Sequence, residues 1–163
     1  PSPPHAMPAY RFEALTADRD NQYLMIDSTI VRAHQQATKL HMLADALGRP
    51  LRFIVTAGQV SDITQAPALL QDHAGGAVLA DKAYDSNALR SLIANMGAEA
   101  VIPSKRSRKV AIPHDVAIYK HRNRIERCFN RLKHFRRFAT CYDPHTIHFT
   151  GFVHLAATVI WLR

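Results

Sequence analysis

Glycine is scarce, with six in 163 residues, and none of the six builds a glycine-rich phosphate loop. Nucleotide chemistry of the kind that needs such a loop is therefore not indicated. Neither Gly-x-Ser-x-Gly nor His-Glu-x-x-His occurs, which removes the common serine-hydrolase and zinc-protease signatures. The two cysteines, Cys128 and Cys141, lack Cys-x-x-Cys spacing, so neither a disulfide framework nor a cysteine zinc site is suggested. A reduced, cytoplasmic setting fits them. No apolar run reaches the roughly 18–20 residues of a membrane helix, and none has the form of a signal peptide. The apolar stretch 149–162 is too short and His154 interrupts it. No membrane partner is expected.

What is abundant is positive charge. Lysine and arginine total 21 against 13 acids, a formal net charge of +8. The excess is concentrated: from Lys105 to Arg137, 12 Lys and Arg residues are opposed only by Asp115 and Glu126. Such a block favours a polyanionic partner, nucleic acid first among them. With 47% hydrophobic residues the chain can also bury a core without disulfides or structural metal.

The opening PSPPHAMP is incompatible with regular structure. Residues 1–20 are expected to be a tail or linker following an upstream region, and 21–163 a single domain. Apolar, β-branched runs predict strands over 23–31, 39–46 and 51–57, joined by short polar turns as an antiparallel meander. A helix is predicted over 64–73, with Thr64 as N-cap and Pro67 in its first turn. A short buried strand over 75–81 ends at Asp81. A helix over 87–96 follows, capped by Asp85 or Ser86 and stopped by Gly97. Residues 99–103 form a fifth strand, and 104–114 a mobile basic linker. Two helices close the chain, a long basic one over 119–133 and an apolar one over 147–161. Strands alternating with helices after a meander predict an α/β fold, a five-stranded mixed sheet covered by helices.

On a helical wheel Tyr119, Arg122, Glu126 and Lys133 fall within roughly 60° of one another. Ile125, Cys128, Phe129, Leu132 and Phe135 form an adjoining apolar face. One carboxylate thus stands among cations at the margin of the core. Two more acids, Asp27 in the first strand and Asp81 at the end of the fourth, can converge with it if those strands are neighbours. Three such carboxylates repel one another unless cations are present. Mg²⁺ resolves this, because it prefers carboxylate oxygens and binds substrate phosphates as well. A pair of ions can serve both the attacking and the leaving oxygen in displacement at phosphorus. Asp62 and Asp85 are expected to be helix caps. His145 and His148 have a spacing seen in zinc sites, but no partner pair accompanies them. Phe149, Phe152, Leu155 and Trp161 are expected to face the core.

These residues resemble the DDE transposases of bacterial insertion sequences, specifically the insertion sequence 5 family. That family's signature of Tyr, two residues, Arg, three residues, Glu, six residues and Lys stands here as Tyr119, Arg122, Glu126 and Lys133. IDSTIVRAHQ around Asp27, ADKAYDS around Asp81, PLRFIVTAGQVSD and the closing HLAATVIWLR are similar as well. The resemblance implies a ribonuclease H-like catalytic core. It implies that Asp27, Asp81 and Glu126 are catalytic and bind two Mg²⁺ ions, for which Mn²⁺ can substitute, with Asp81 as the bridge. It implies DNA as partner, both terminal inverted repeats and target, and homo-oligomers assembled on DNA in the bacterial nucleoid. Arg122 and Lys133 would grip phosphates near the scissile bond, and Tyr119 would position the strand or pack against the helix. Lys105, Arg106, Arg108, Lys109 and Arg127 would contact the DNA backbone. Relatives carry a Gly- and Lys-rich insertion between the first two strands, where this chain passes almost directly from His34 to Lys39. They also begin with a helical DNA-binding region, which points to a separate N-terminal DNA-binding half. The competing readings are a non-catalytic DNA-binding remnant or regulator, and a simple metal-dependent nuclease.

Overall fold

The structure, a computed structural model, describes residues 16–32, 37–139 and 146–163. The shortened first connection, Cys141 and His145 lie outside them. The described residues form one five-stranded mixed sheet in the order β3-β2-β1-β4-β5. Strands β1 (Tyr23–Arg32), β2 (Ala37–Asp45) and β3 (Pro50–Ala57) make the expected antiparallel meander. Strands β4 (Ala77–Leu79) and β5 (Glu99–Val101) add to it in parallel. Helix α1 (Asp62–Leu70) joins β3 to β4, and α2 (Asn87–Asn95) joins β4 to β5. Then come α3 (Val116–Tyr119), a 3-10 turn Lys120–Arg122, α4 (Asn123–His134), α5 (Arg136–Ala139) and α6 (Thr146–Trp161).

The sheet is covered on both faces. Tyr23, Met25, Met42 and Leu79 pack against Ile125, Cys128, Phe129 and Leu132 of α4 and against Val153, Ala156 and Ala157 of α6. Leu24, Ile26, Leu43 and Val78 pack on the other side against Leu69 of α1 and Leu89 and Ile93 of α2. That double cover explains why Tyr23 to Ile26 are all buried without alternation. Burial weakens at Asp27, where β1 runs past the end of its pairing with β4.

Several local expectations needed tertiary context. Helix α1 starts at Asp62, two residues ahead of Thr64, because Asp62 is tied to the sheet by the Ser28 hydroxyl at 2.7 Å and Lys39 at 3.1 Å. Thr64 is therefore not the N-cap; its hydroxyl donates back to the Ser61 carbonyl at 2.6 Å. Pro67 consequently falls in the second turn. The cap of α2 is Ser86, which accepts the Leu89 N–H. The basic helix is not continuous over 119–133, since the 3-10 turn separates α3 from α4. Leu155 faces solvent at 62% exposure rather than the core, whereas Phe149 is buried.

The β2–β3 turn fixes the helix that carries Glu126. Buried Asp45 accepts the Leu47 and Arg49 N–H groups and the Arg49 guanidinium, which lies over the Trp161 ring at 4.1 Å. Trp161 in turn donates to the Pro50 carbonyl at 2.7 Å. The same turn meets α4: Arg124 donates to the Ala46 carbonyl at 2.5 Å. Gly48 has φ 80° and lies so close that a Cβ would stand 2.8 Å from the Arg124 carbonyl oxygen. Gly97 shares the positive φ, 76°, but a Cβ there meets nothing within 4 Å. Gly97→Ala should therefore cost about 1–2 kcal/mol of unfolding free energy from backbone strain alone. Gly48→Ala should cost clearly more, because the helix must also move. Urea unfolding of the two variants checks this, and equal losses would mean that the turn does not hold α4.

Candidate functional site

Strands β1 and β4 are parallel neighbours, with Met25 opposite Leu79. Asp27 and Asp81 each lie two residues beyond that pair, so the sheet delivers both to the same edge in matched register. Alternation along β1 puts Asp27 on the face of Met25, beneath α4. Asp81 follows β4 and caps a 3-10 turn, Lys82–Tyr84, by accepting the Ala83 N–H at 2.8 Å. Glu126 sits in the first turn of α4, where the positive end of the helix dipole favours a carboxylate.

Arg122 joins two of the three. Its guanidinium donates to Asp27 Oδ2 at 3.0 Å and also to Glu126 Oε1, four residues along the helix. The ring of Tyr119 lies 5.8 Å from the guanidinium carbon and makes an edge contact with His114. Burial disfavours the Arg122 charge, but Asp27, Tyr119 and Glu126 outweigh it and raise its pKa above the usual value. For Asp27 burial is the largest influence and raises its pKa to about 6, against the Ser28 N–H and Arg122; Asp81 and Glu126 add repulsion. Two of the three acids, Asp27 and Glu126, share the Arg122 guanidinium. Among the described residues no three His, Cys, Asp or Glu side chains are grouped closely enough to hold one ion.

The other predicted contacts are distributed around this centre. Lys133 is exposed about 10 Å further along α4 from Glu126. Arg127 is exposed beside Glu126, and Arg106 and Lys109 are exposed on the loop after β5, with Lys105 half-buried. Arg108 is already engaged: it donates to both oxygens of Asp85 and to Asn87 Oδ1 at 2.8 Å. The loop over 104–112 is pinned rather than mobile, since the Lys105 N–H also binds Asp85 and Ser104 bonds Ile112.

Asp62 and Asp85 are not caps. Asp62 anchors α1 behind Asp27, with buried His41 3.7 Å away. Asp85 is buried among Arg90, Arg108 and the Lys105 N–H, and its carboxyl is held far below the usual range, chiefly by Arg108. Tyr84 is buried as well, and burial with Asp62, Asp27 and Asp81 nearby keeps its hydroxyl protonated. Sequence reasoning placed Asp62 and Asp85 as caps and missed their charge partners. The available signal was in AYDSN, an acid four residues after Asp81 facing a segment rich in arginine.

The family model described as Transposase DDE domain matches residues 18–161. The protein assigned as the transposase for insertion sequence element IS6501 of Brucella ovis is 45% identical over 128 residues, covering 77% of this chain and 98% of that protein. The one assigned to IS402 of Burkholderia cepacia is 30% identical over 135 residues, 76% of this chain and 62% of its own length. Among solved structures, a chain of the simian T-cell lymphotropic virus intasome is similar at TM-score 0.59 and 14% identity. It covers 87% of this chain and 49% of that one. The HTLV-2 integrase catalytic core domain is similar at TM-score 0.50 and 13% identity, covering 86% of each chain. These two likenesses establish the ribonuclease H-like fold.

The Asp27 shift has a measurable sign. With its folded pKa raised from 3.8 to about 6, the native state holds the extra proton between those values. Its contribution to stability is therefore present at low pH and is lost as pH rises through about 6. Asp27→Asn, in metal-free protein, should be the more stable form at pH 7.5 by on the order of 2 kcal/mol. The gain should vanish near pH 4. Denaturant unfolding at both pH values checks this, and a variant less stable at pH 7.5 would contradict it.

Proposed function

This chain belongs to the transposase DDE-domain family, and on that premise we propose that Asp27, Asp81 and Glu126 are its catalytic carboxylates. Membership makes it a DDE-type transposase domain, an enzyme of DNA phosphoryl transfer with a ribonuclease H-like core. The observation that carries the residue assignment is the Arg122 bridge. It brings together Asp27 and Glu126, 99 positions apart, at the sheet edge where Asp81 also emerges.

A divalent metal fits the donor set. All three candidate ligands are carboxylates, which suit Mg²⁺ or Mn²⁺. Burial, with Asp81 and Glu126 repelling it, raises the Asp27 pKa to about 6, so a cation there would be favoured. The proposed complement is two ions held by Asp27, Asp81 and Glu126, with Asp81 shared between them. When bound, the ions supply the Lewis acidity that eases attack at a phosphodiester and stabilises the departing oxygen. The protein groups do the rest. Arg122, released from the acids, pairs with phosphate oxygens, where charge-assisted bonds are strong. Tyr119 limits how far its guanidinium can swing. Lys133 and Arg127 extend the cationic track along α4, and Lys105, Arg106 and Lys109 form a second cationic patch on the loop that Arg108 ties to Asp85. Water as nucleophile cuts the element end, and the freed 3′-OH then joins it to target DNA.

The spacing of Tyr119, Arg122, Glu126 and Lys133 supports the finer placement in the insertion sequence 5 family. Subunits paired on DNA ends, action at the nucleoid, and a separate N-terminal DNA-binding half belong to the same reading, as does a catalytic domain spanning 21–163. A non-catalytic DNA-binding remnant is favoured by one observation: Arg122 already occupies two of the three acids.

Nicking of supercoiled plasmid by the purified chain separates the two. The wild type should nick with Mn²⁺ or Mg²⁺ and not with EDTA, and Asp81→Ala should fall to background while still binding DNA. Salt-sensitive binding without nicking by wild type would support the remnant, and nicking by Asp81→Ala would overturn the assignment. Arg122→Gln, which removes the internal cation, should bind Mn²⁺ at least as tightly by calorimetry yet nick more slowly. Weaker Mn²⁺ binding would show that Arg122 does not compete with the metal.

A further inference from the structure

A second buried polar cluster, outside the candidate centre, is built on Asp85. This carboxylate is 4% exposed and takes up four hydrogen-bond donors. Oδ1 accepts Arg90 Nε at 2.8 Å and Arg108 Nη2 at 2.7 Å. Oδ2 accepts the Lys105 N–H at 2.8 Å and Arg108 Nε at 2.9 Å. Each arginine makes a further tie, Arg90 to the Ile102 carbonyl and Arg108 to Asn87. One buried anion thereby gathers the end of β5, the start of α2 and the basic loop.

The location gives the cluster a purpose. Asp81 and Asp85 flank the same one-turn 3-10 helix, Lys82–Tyr84. β1, β4 and β5 are mutually parallel, so Asp27, Asp81 and the loop after β5 emerge from one edge of the sheet. Arg106 and Lys109 remain exposed on that loop, and Asp85 consumes little of its charge, since it neutralises one of the two guanidiniums it binds.

We propose that Asp85 is a positioning residue that clamps the basic loop over 104–112 beside Asp81, so that Lys105, Arg106 and Lys109 meet a DNA phosphate backbone as a preformed cationic surface. The proposal rests on the DNA-cutting reading above and adds the element that orders the loop. A held loop gives phosphate contacts without the entropic cost of ordering it on binding.

Charge alone predicts the opposite behaviour, which makes the test sharp. Asp85→Asn removes an anion from a DNA-binding surface, so simple electrostatics would tighten binding. The clamp predicts weaker binding, by roughly three- to tenfold at fixed salt. Amide hydrogen exchange over 104–112 should quicken by roughly tenfold or more, with α4 and α6 unchanged. In plasmid nicking, KM for DNA should rise while kcat stays near wild type, and Asp85→Glu should recover part of the loss. Arg108→Gln is the second variant should Asp85→Asn fail to fold, and it should show the same local exchange. Unchanged loop exchange in the variants, or tighter DNA binding by Asp85→Asn, overturns the proposal. A wild-type chain without salt-dependent DNA affinity contradicts the functional reading and this proposal with it, whereas unchanged exchange with normal DNA binding sinks the clamp alone.

Discussion

The repulsion among three carboxylates is the constraint on which this structure turns. A sheet can deliver two of them cheaply, because parallel neighbours in register present equivalent positions at the same edge. The third comes from a different element and must be held against that repulsion. Arg122 does so with one guanidinium, bonded to Asp27 across the fold and to Glu126 along the helix. The arrangement works only if α4 is fixed at the right height. Its buried stripe of Ile125, Cys128, Phe129 and Leu132 sets the distance from the sheet. The Gly48 turn and the Arg124 bond to Ala46 hold its N-terminal half.

The two sides of the sheet divide the labour. The side under α4 and α6 carries Asp27 and the arginine bridge. The other side supports it from behind: Ser28, one residue on, points the opposite way and ties β1 to Asp62 at the start of α1. Buried Tyr84 and His41 fill the same region, and burial keeps the tyrosine hydroxyl protonated and disfavours the histidine cation. The carboxyl edge of β4 and β5 then carries Asp81 and the loop gathered by Asp85. Residues on both faces and at one edge thus converge without any long excursion of the chain.

Much of this was legible in the sequence because it depends on period and order. The meander, the parallel strands and the two closing helices follow from apolar patterning and glycine or proline punctuation. The placement of Asp27 and Asp81 on neighbouring parallel strands follows from strand order, and the face of Glu126 from the helical wheel. Tertiary charge pairing was not legible. Asp62 and Asp85 look like caps when only their neighbours are considered, since short polar residues before a helix usually are. Their partners are 34 residues away at Ser28 and 23 away at Arg108. The loop over 104–112 looked mobile for the same reason, because its restraint comes from an acid outside it. Arg122 was expected to face a phosphate; it donates to Asp27 and Glu126. Leu155 shows the limit of composition: an apolar helix still has an outward side.

The most direct test of the central claim, that these three carboxylates form one divalent-metal site which Arg122 guards, is anomalous diffraction from crystals grown with Mn²⁺. The account predicts anomalous density among Asp27, Asp81 and Glu126, with the Arg122 guanidinium withdrawn from at least one of the two acids it bridges. Mn²⁺ bound elsewhere, or an Arg122 bridge that persists intact at saturating Mn²⁺ and DNA, would contradict it.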